Sequence, residues 1–252
     1  MKINVSCTMD VLLDFEHMMS EAKANASAYG SASPFPHIVL ENFLPADIYQ
    51  RALSEYPSPG QISDWRQVEA RDNQGRVAQT LKLGYSNELK MGQTLRNLIY
   101  ALNCGAFMRY LETLTGIPDL LPDSHLVGGG LHQYLPGAIL RIHADFSRLR
   151  GSQLDRRLNL LLYFNDEWNN GWGGNLELWD PSMQKCVKRI APTGNRCVIF
   201  STTGTSYHGM PEPLVCPEGV TRKSLALYYY SNGRPDNEAS PTHATLWQSR
   251  PD

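Results

Sequence analysis

In Arg156-Arg157-Leu158-Asn159-Leu160-Leu161-Leu162-Tyr163-Phe164-Asn165 the side chains fall into two alternating sets. Residues two apart on a strand share a face, so Asn159, Leu161 and Tyr163 look one way and Leu158, Leu160 and Leu162 the other. Burying Asn and Tyr without partners is costly. The first face therefore implies a polar partner inside the protein. Outward from this stretch, short runs rich in β-branched, aromatic and leucine residues recur near 126–135, 138–145, 157–164, 175–180, 185–191, 196–201 and 222–230. Gly, Pro, Asn and Asp clusters separate them. Such a series of short strands predicts a sandwich or double-sheet barrel after Gly116.

The first half is different in texture. The sequence predicts a helix over 10–24, a short strand at Phe35-Pro36-His37-Ile38-Val39-Leu40, and a helix from Pro45 to about Tyr56. Residues 57–80 read as loop with one or two short strands. Leu95, Leu98, Ile99, Leu102, Phe107, Tyr110, Leu111 and Leu114 recur near the helical period, which predicts one helix over 89–115 stopped by Gly116. These helices are expected to cover the outer face of one sheet. Residues 233–252 read as a polar tail laid over the surface.

With 252 residues, 42% of them hydrophobic, the chain is expected to form a single domain: helical support over 1–116, a β core over about 117–232, and the tail. Lys+Arg 23 against Asp+Glu 25 argues against a nucleic-acid partner, which needs a dense basic face. No apolar run approaches the roughly 20 residues that span a bilayer, and the first residues lack a secretory pattern. The expectation is a cytoplasmic protein with no membrane contact. Cys7, Cys104, Cys186, Cys197 and Cys216 show no C-x-x-C pair and read as reduced, buried small hydrophobes.

Chemistry concentrates in Leu140-Arg141-Ile142-His143-Ala144-Asp145-Phe146 and Ser206-Tyr207-His208-Gly209. On a strand His143 and Asp145 face one side. With His208 from a later strand they supply two imidazoles and a carboxylate, the donor set of a non-haem Fe(II) centre with open positions. Arg222 follows His208 by 14 residues and opens Arg222-Lys223-Ser224-Leu225-Ala226-Leu227-Tyr228. Alternation puts Arg222, Ser224, Ala226 and Tyr228 on one face. That face offers a permanent cation and a hydroxyl beside small side chains, and an arginine fork suits a carboxylate.

The ordered run of His143-x-Asp145, Arg156–Asn165, Gly173-Gly174-Asn175-Leu176-Glu177-Leu178-Trp179-Asp180, Pro192–Phe200, His208-Gly209 and Arg222-Lys223-Ser224-Leu225 resembles the 2-oxoglutarate- and Fe(II)-dependent oxygenases. Within them it is most similar to the prolyl-4-hydroxylase-like branch. The resemblance covers about residues 125–231 densely. It implies a mainly β fold with supporting helices, around a double-stranded β-helix (jelly-roll) core. It implies that His143, Asp145 and His208 bind Fe(II), and that Arg222 pairs with the 5-carboxylate of 2-oxoglutarate. Ser224 or Tyr163 would add a hydrogen bond, with Tyr134 near the cosubstrate and Asn159 a further neighbour. The longer spacing before Arg222 is expected to form a loop around 211–219.

O2 is the implied oxidant, with ascorbate an optional reductant. The implied reaction hydroxylates an unactivated C–H bond of a small-molecule, amino-acid or peptide substrate and converts 2-oxoglutarate to succinate and CO2. The same centre would also serve oxidative dealkylation, desaturation or ring formation, and a jelly-roll of the non-catalytic cupin type is the alternative outside catalysis. The carboxylate at Asp145 implies oxygenation rather than halogenation. Residues 57–90 and the loop at 146–156 are expected to flank the mouth of the site; Arg148 and Arg150, in that loop, are candidates for meeting an anionic substrate or else solvated loop charges.

Overall fold

The computed structural model describes residues 12–61, 63–238 and 241–250. Among these residues the first half contains α1 (Phe15–Gly30), β1 (His37–Leu40), α2 (Ala46–Ser54), β2 (Arg66–Arg71), β3 (Val77–Tyr85), α3 (Gln93–Leu102) and α4 (Gly105–Thr115). Then come β4 (Leu121–Pro122), β5 (Gly130–Ala144), β6 (Leu154–Tyr163), β7 (Leu176–Trp179), β8 (Cys186–Ile190), β9 (Cys197–Ser201), β10 (His208–Met210), β11 (Arg222–Asn232) and β12 (Leu246–Trp247). The main path of the sheet is β1-β9-β6-β11-β5-β10-β7-β8. Every neighbouring pair on it is antiparallel. The sheet curls into a half-barrel, consistent with the jelly-roll that the resemblance implied.

Alternation along β6 and β11 places the layers. Leu158, Leu160 and Leu162, with Leu225, Leu227 and Tyr229, pack outward against Leu95, Leu98, Leu102, Phe107 and Leu111 of the helices. Each such fully buried side chain contributes about 1.5–3 kcal/mol, so the helical layer holds the sheet in its curl. The opposite set turns inward, where Tyr163 and Leu161 meet Phe35, Leu176, Leu178 and Phe200.

Several elements depart from the sequence expectation. The first helix starts at Phe15, capped by Asp14, whose carboxylate accepts from His17 N at 3.0 Å, and it runs on to Gly30. Residues 10 and 11 of the expected helix lie outside the described residues, as does Cys7. The single helix expected over 89–115 is two, because Cys104 is extended (φ −82, ψ 162). Glu55 then caps α3, accepting from Leu95 N at 3.0 Å and Thr94 Oγ1 at 2.7 Å. Both helices keep the same apolar period because both lie on the same sheet. Gly116, at φ 72, ends α4 as expected.

The two strands expected at 126–135 and 138–145 are one. Pro136-Gly137 does not break β5: Gly137 (φ 83) and Leu81 (φ 53) on β3 absorb the irregularity, and the register shifts between Thr80 and Lys82. The short strands expected within 57–80 form a β2–β3 hairpin, with β3 running on to Tyr85, and this hairpin pairs with β5. The C-terminal residues are not simply a surface tail. Ser147 N donates to His243 O at 3.0 Å and Gln248 N to Ile142 O at 2.8 Å, and between these clips β12 pairs with Ala144 and His143. Among the described residues no helix is long and apolar enough to cross a membrane. Cys104, Cys186, Cys197 and Cys216 are unpaired.

Candidate active site

His143 lies near the end of β5, and its direct partner across the antiparallel pair is His208 of β10. Opposed residues on neighbouring strands bring their side chains together, so the imidazole rings stand with centroids 4.5 Å apart. The strands come this close because Gly209 follows His208. A Cβ at Gly209 would lie 2.8 Å from the carbonyl oxygens of both Leu140 and Arg141. Asp145, two residues beyond His143, completes the cluster. Its Oδ1 is 3.6 Å from His143 Nε2 and its Oδ2 3.4 Å from His208 Nε2. One ligand atom from each of the three lies within 4.8 Å of the others.

The tautomers suit a metal. His143 Nδ1 meets Arg141 O at 2.8 Å and His208 Nδ1 meets Ser206 O at 2.9 Å. A carbonyl only accepts, so both Nδ1 atoms carry a proton, which leaves each Nε2 directed at the cluster. Burial holds His208 down to about 4, against the opposing pull of Asp145, and the ring is neutral. Burial alone would raise the Asp145 carboxyl. Arg156 above all, then His208 and His143, holds it well below the usual carboxylate range. Two imidazoles that each turn Nε2 to the cluster and an ionised carboxylate fit a divalent iron with positions left open.

Arg156 is the residue that the sequence reading passed over. It is 2% exposed and sits under Asp145, with Nη2 3.2 Å from Oδ2. Its Nε and Nη2 also donate to Asn159 Oδ1 at 2.9 and 2.7 Å, and Asn159 Nδ2 donates to Asp145 Oδ2 at 2.7 Å. The polar partner implied for Asn159 is thus the Asp145 carboxylate. The guanidinium lies 3.5 Å from the centroid of the Tyr228 ring.

Arg222 lines the other end of the same cavity, which holds about 280 Å³. Its Nε donates to Gly174 O at 2.7 Å and its Nη2 to Tyr163 Oη at 3.1 Å. These two bonds hold the fork in place. Gly174 has φ +77, and a Cβ there would come within 2.9 Å of Leu214 and Trp168 and 3.2 Å of Arg222, so the Gly-Gly motif makes room for the arginine. Burial pushes the Tyr134 and Tyr163 phenols up, and both stay protonated. Ser224, Tyr134 and Asn159 reach the cavity wall as well.

The stretch 57–90, expected to flank the mouth, supplies one wall: its β2–β3 hairpin brings Val68, Gln79 and Lys82. A second wall had no visible signal in the sequence: β12 brings Trp247, whose ring lies 4.9 Å from that of His143. Both depend on pairing with β5 across long stretches of chain, and local patterns do not report such pairing. Burial pushes the Lys82 ammonium down to about 8. Arg148, by contrast, is taken up by Asp155 at 3.0 Å and Gln153 at 3.1 Å. Neither it nor the exposed Arg150 lines the cavity.

Known proteins share this arrangement. The model of the 2OG-Fe(II) oxygenase superfamily matches residues 129–230. Mouse (Mus musculus) prolyl 3-hydroxylase OGFOD1 is 25% identical over 206 residues, covering 78% of this chain and 33% of its own. The chain therefore spans about a third of the length of this curated relative. A Pseudomonas putida prolyl-4-hydroxylase superposes with TM-score 0.56 at 18% identity, covering 85% of this chain and 100% of its own. A Trichoplax adhaerens prolyl hydroxylase, solved with a hypoxia inducible factor peptide fragment, gives TM-score 0.60 at 15% identity over 86% and 90%. The ordered motifs, the curled sheet and the His-Asp-His cluster agree with these matches: residues 129–230 fit the 2OG-Fe(II) oxygenase superfamily, and the chain is similar to prolyl hydroxylases.

Proposed function

We propose that the chain is an Fe(II)- and 2-oxoglutarate-dependent dioxygenase that hydroxylates an unactivated C–H bond of a small molecule or of a free or peptidyl amino acid. One observation carries the reading. The His143–His208 pair with ionised Asp145 shares one cavity with an arginine already held by two hydrogen bonds. A passive metal-binding jelly-roll has no use for that arginine. The names of the similar proteins, prolyl hydroxylases, support an amino-acid residue as the kind of group attacked.

In this reading His143 and His208 hold iron through Nε2 and Asp145 through its carboxylate. The iron with 2-oxoglutarate and O2 supplies the oxidising power, and 2-oxoglutarate leaves as succinate and CO2. The remaining residues position and shield. Arg156 and Asn159 orient Asp145, and outer partners of this kind are worth 10–100-fold in metal affinity. Arg222 meets the 5-carboxylate, with the Tyr163 and Ser224 hydroxyls beside it. Trp247 and the β2–β3 hairpin wall the cavity against water, which strengthens each of these polar contacts.

Arg222→Met tests the cosubstrate assignment. Removing one partner of a buried charge pair costs about 2–5 kcal/mol, so the 2-oxoglutarate concentration at half-maximal turnover should rise roughly 30- to 3000-fold. An unchanged value would place the carboxylate elsewhere. Succinate release with Fe(II), screened over free amino acids, peptides and small metabolites, tests the reaction itself. Stimulation by a member of the panel supports hydroxylation of that compound, and its product mass fixes whether oxygen was added.

A further inference from the structure

Lys82 is a cation in the cavity wall that the proposed reaction does not use. It stands on β3 opposite Tyr134 of β5, and Tyr134 in turn stands opposite Arg222 of β11. A strand bonds one neighbour on each edge, so β3 and β11 flank β5 from opposite sides here. Lys82 and Arg222 therefore approach one phenol ring from two directions. Lys82 Nζ is 5.8 Å and the Arg222 guanidinium carbon 5.5 Å from its centroid.

The two cations are not equivalent. Arg222 is tied to Gly174 O and Tyr163. Among the described residues Lys82 makes no ion pair or hydrogen bond, and its ammonium lies over the Tyr134 ring. Asp145 is engaged by Arg156. Glu69, the other acidic residue of the cavity wall, is not within ion-pair distance of Lys82. Lys82 also belongs to the wall made by the β2–β3 hairpin and β12, away from the strands that bring His208 and Arg222. An unpaired cation fixed in a partly desolvated cleft draws anions to it. With the cosubstrate's 5-carboxylate at Arg222 and its other end toward the metal, Lys82 is left for a different carboxylate.

We propose that Lys82 receives a carboxylate of the primary substrate, which makes that substrate a free amino acid or a comparable small carboxylic acid. This deepens the proposed function and rests on it, because the assignment of 2-oxoglutarate to Arg222 is what leaves Lys82 available.

The test uses the whole chain with Fe(II) and saturating 2-oxoglutarate without oxygen. Free amino acids and simple mono- and dicarboxylic acids, each beside its carboxamide, are titrated in. Perturbation of the weak visible band and the shift in melting temperature are read. At least one acid should bind the wild type, with its amide about tenfold weaker or more, as a charge-assisted contact requires. Lys82→Met should weaken that acid by a similar factor and leave its amide and the half-saturation of 2-oxoglutarate unchanged. Lys82→Arg should restore most of the loss. Equal binding of acid and amide, or no binding by any acid while the band forms normally, would overturn the inference and leave the proposed function standing. So would a Lys82→Met variant that loses 2-oxoglutarate instead. Absence of the band from the wild type would overturn the proposed function, and this inference with it.

Discussion

His208→Ala should bind Fe(II) more than about 100-fold more weakly than the wild type and release no iron-dependent succinate. The magnitude follows from position. Removing a residue that merely orients a ligand costs 10–100-fold in metal affinity, and His208 is itself one of three donors. Its Nε2 is 3.4 Å from Asp145 Oδ2, and its ring faces His143 across one strand pair. Nothing nearby replaces it, because its neighbours on β10 are Gly209 and Met210. The check is succinate formation over a range of added Fe(II), with thermal unfolding of the metal-free variant to confirm that it folds. Normal turnover would remove His208 from the metal centre.

Arg156→Met should produce the second large effect, and its signature is in stability. The wild-type guanidinium is the nearest positive charge to Asp145 and is 2% exposed. Breaking a buried ion pair by removing one partner costs about 3–5 kcal/mol, because the other charge stays buried without compensation. In a chain of this size that corresponds to a fall of roughly 6–20 °C in the melting temperature of the metal-free protein. Because Arg156 also orients Asp145, the variant should bind Mn(II) or Zn(II) about 10–100-fold more weakly, so added metal should stabilise it less than it stabilises the wild type. An equal loss with and without metal would mean that Arg156 acts through packing on Tyr228 and Phe146 rather than through Asp145.

Those two residues also mark how far the sequence could be read. His143, Asp145, His208 and Arg222 were legible because each sits in a local pattern: i and i+2 on a strand, a histidine before a close-packed glycine, a cation opening an alternating run. Tyr163 and Asn159 were legible as inward-facing polar residues on a leucine-rich strand, although the partner of Asn159 is the Asp145 carboxylate. Arg156 was not, because an arginine at the start of a strand reads as a solvated end. Its burial depends on Asp145, which another strand brings. Trp247 was hidden for the same reason, and Lys82 was placed only coarsely, within the stretch 57–90 expected at the mouth. Their segments are polar and short, and they become cavity wall only by pairing with β5. The helix break at Cys104 was masked because α3 and α4 share one apolar period against one sheet. In each case the missing information was a contact between distant parts of the chain.

The most direct measurement is an anaerobic titration of the purified chain with 2-oxoglutarate in the presence and absence of Fe(II). The arrangement of His143, Asp145 and His208 beside Arg222 predicts a weak visible charge-transfer band that appears only when both are present, saturates with 2-oxoglutarate, and is missing from His208→Ala. Failure of the wild type to form that band at high protein concentration would contradict the assignment of this cavity to iron and 2-oxoglutarate.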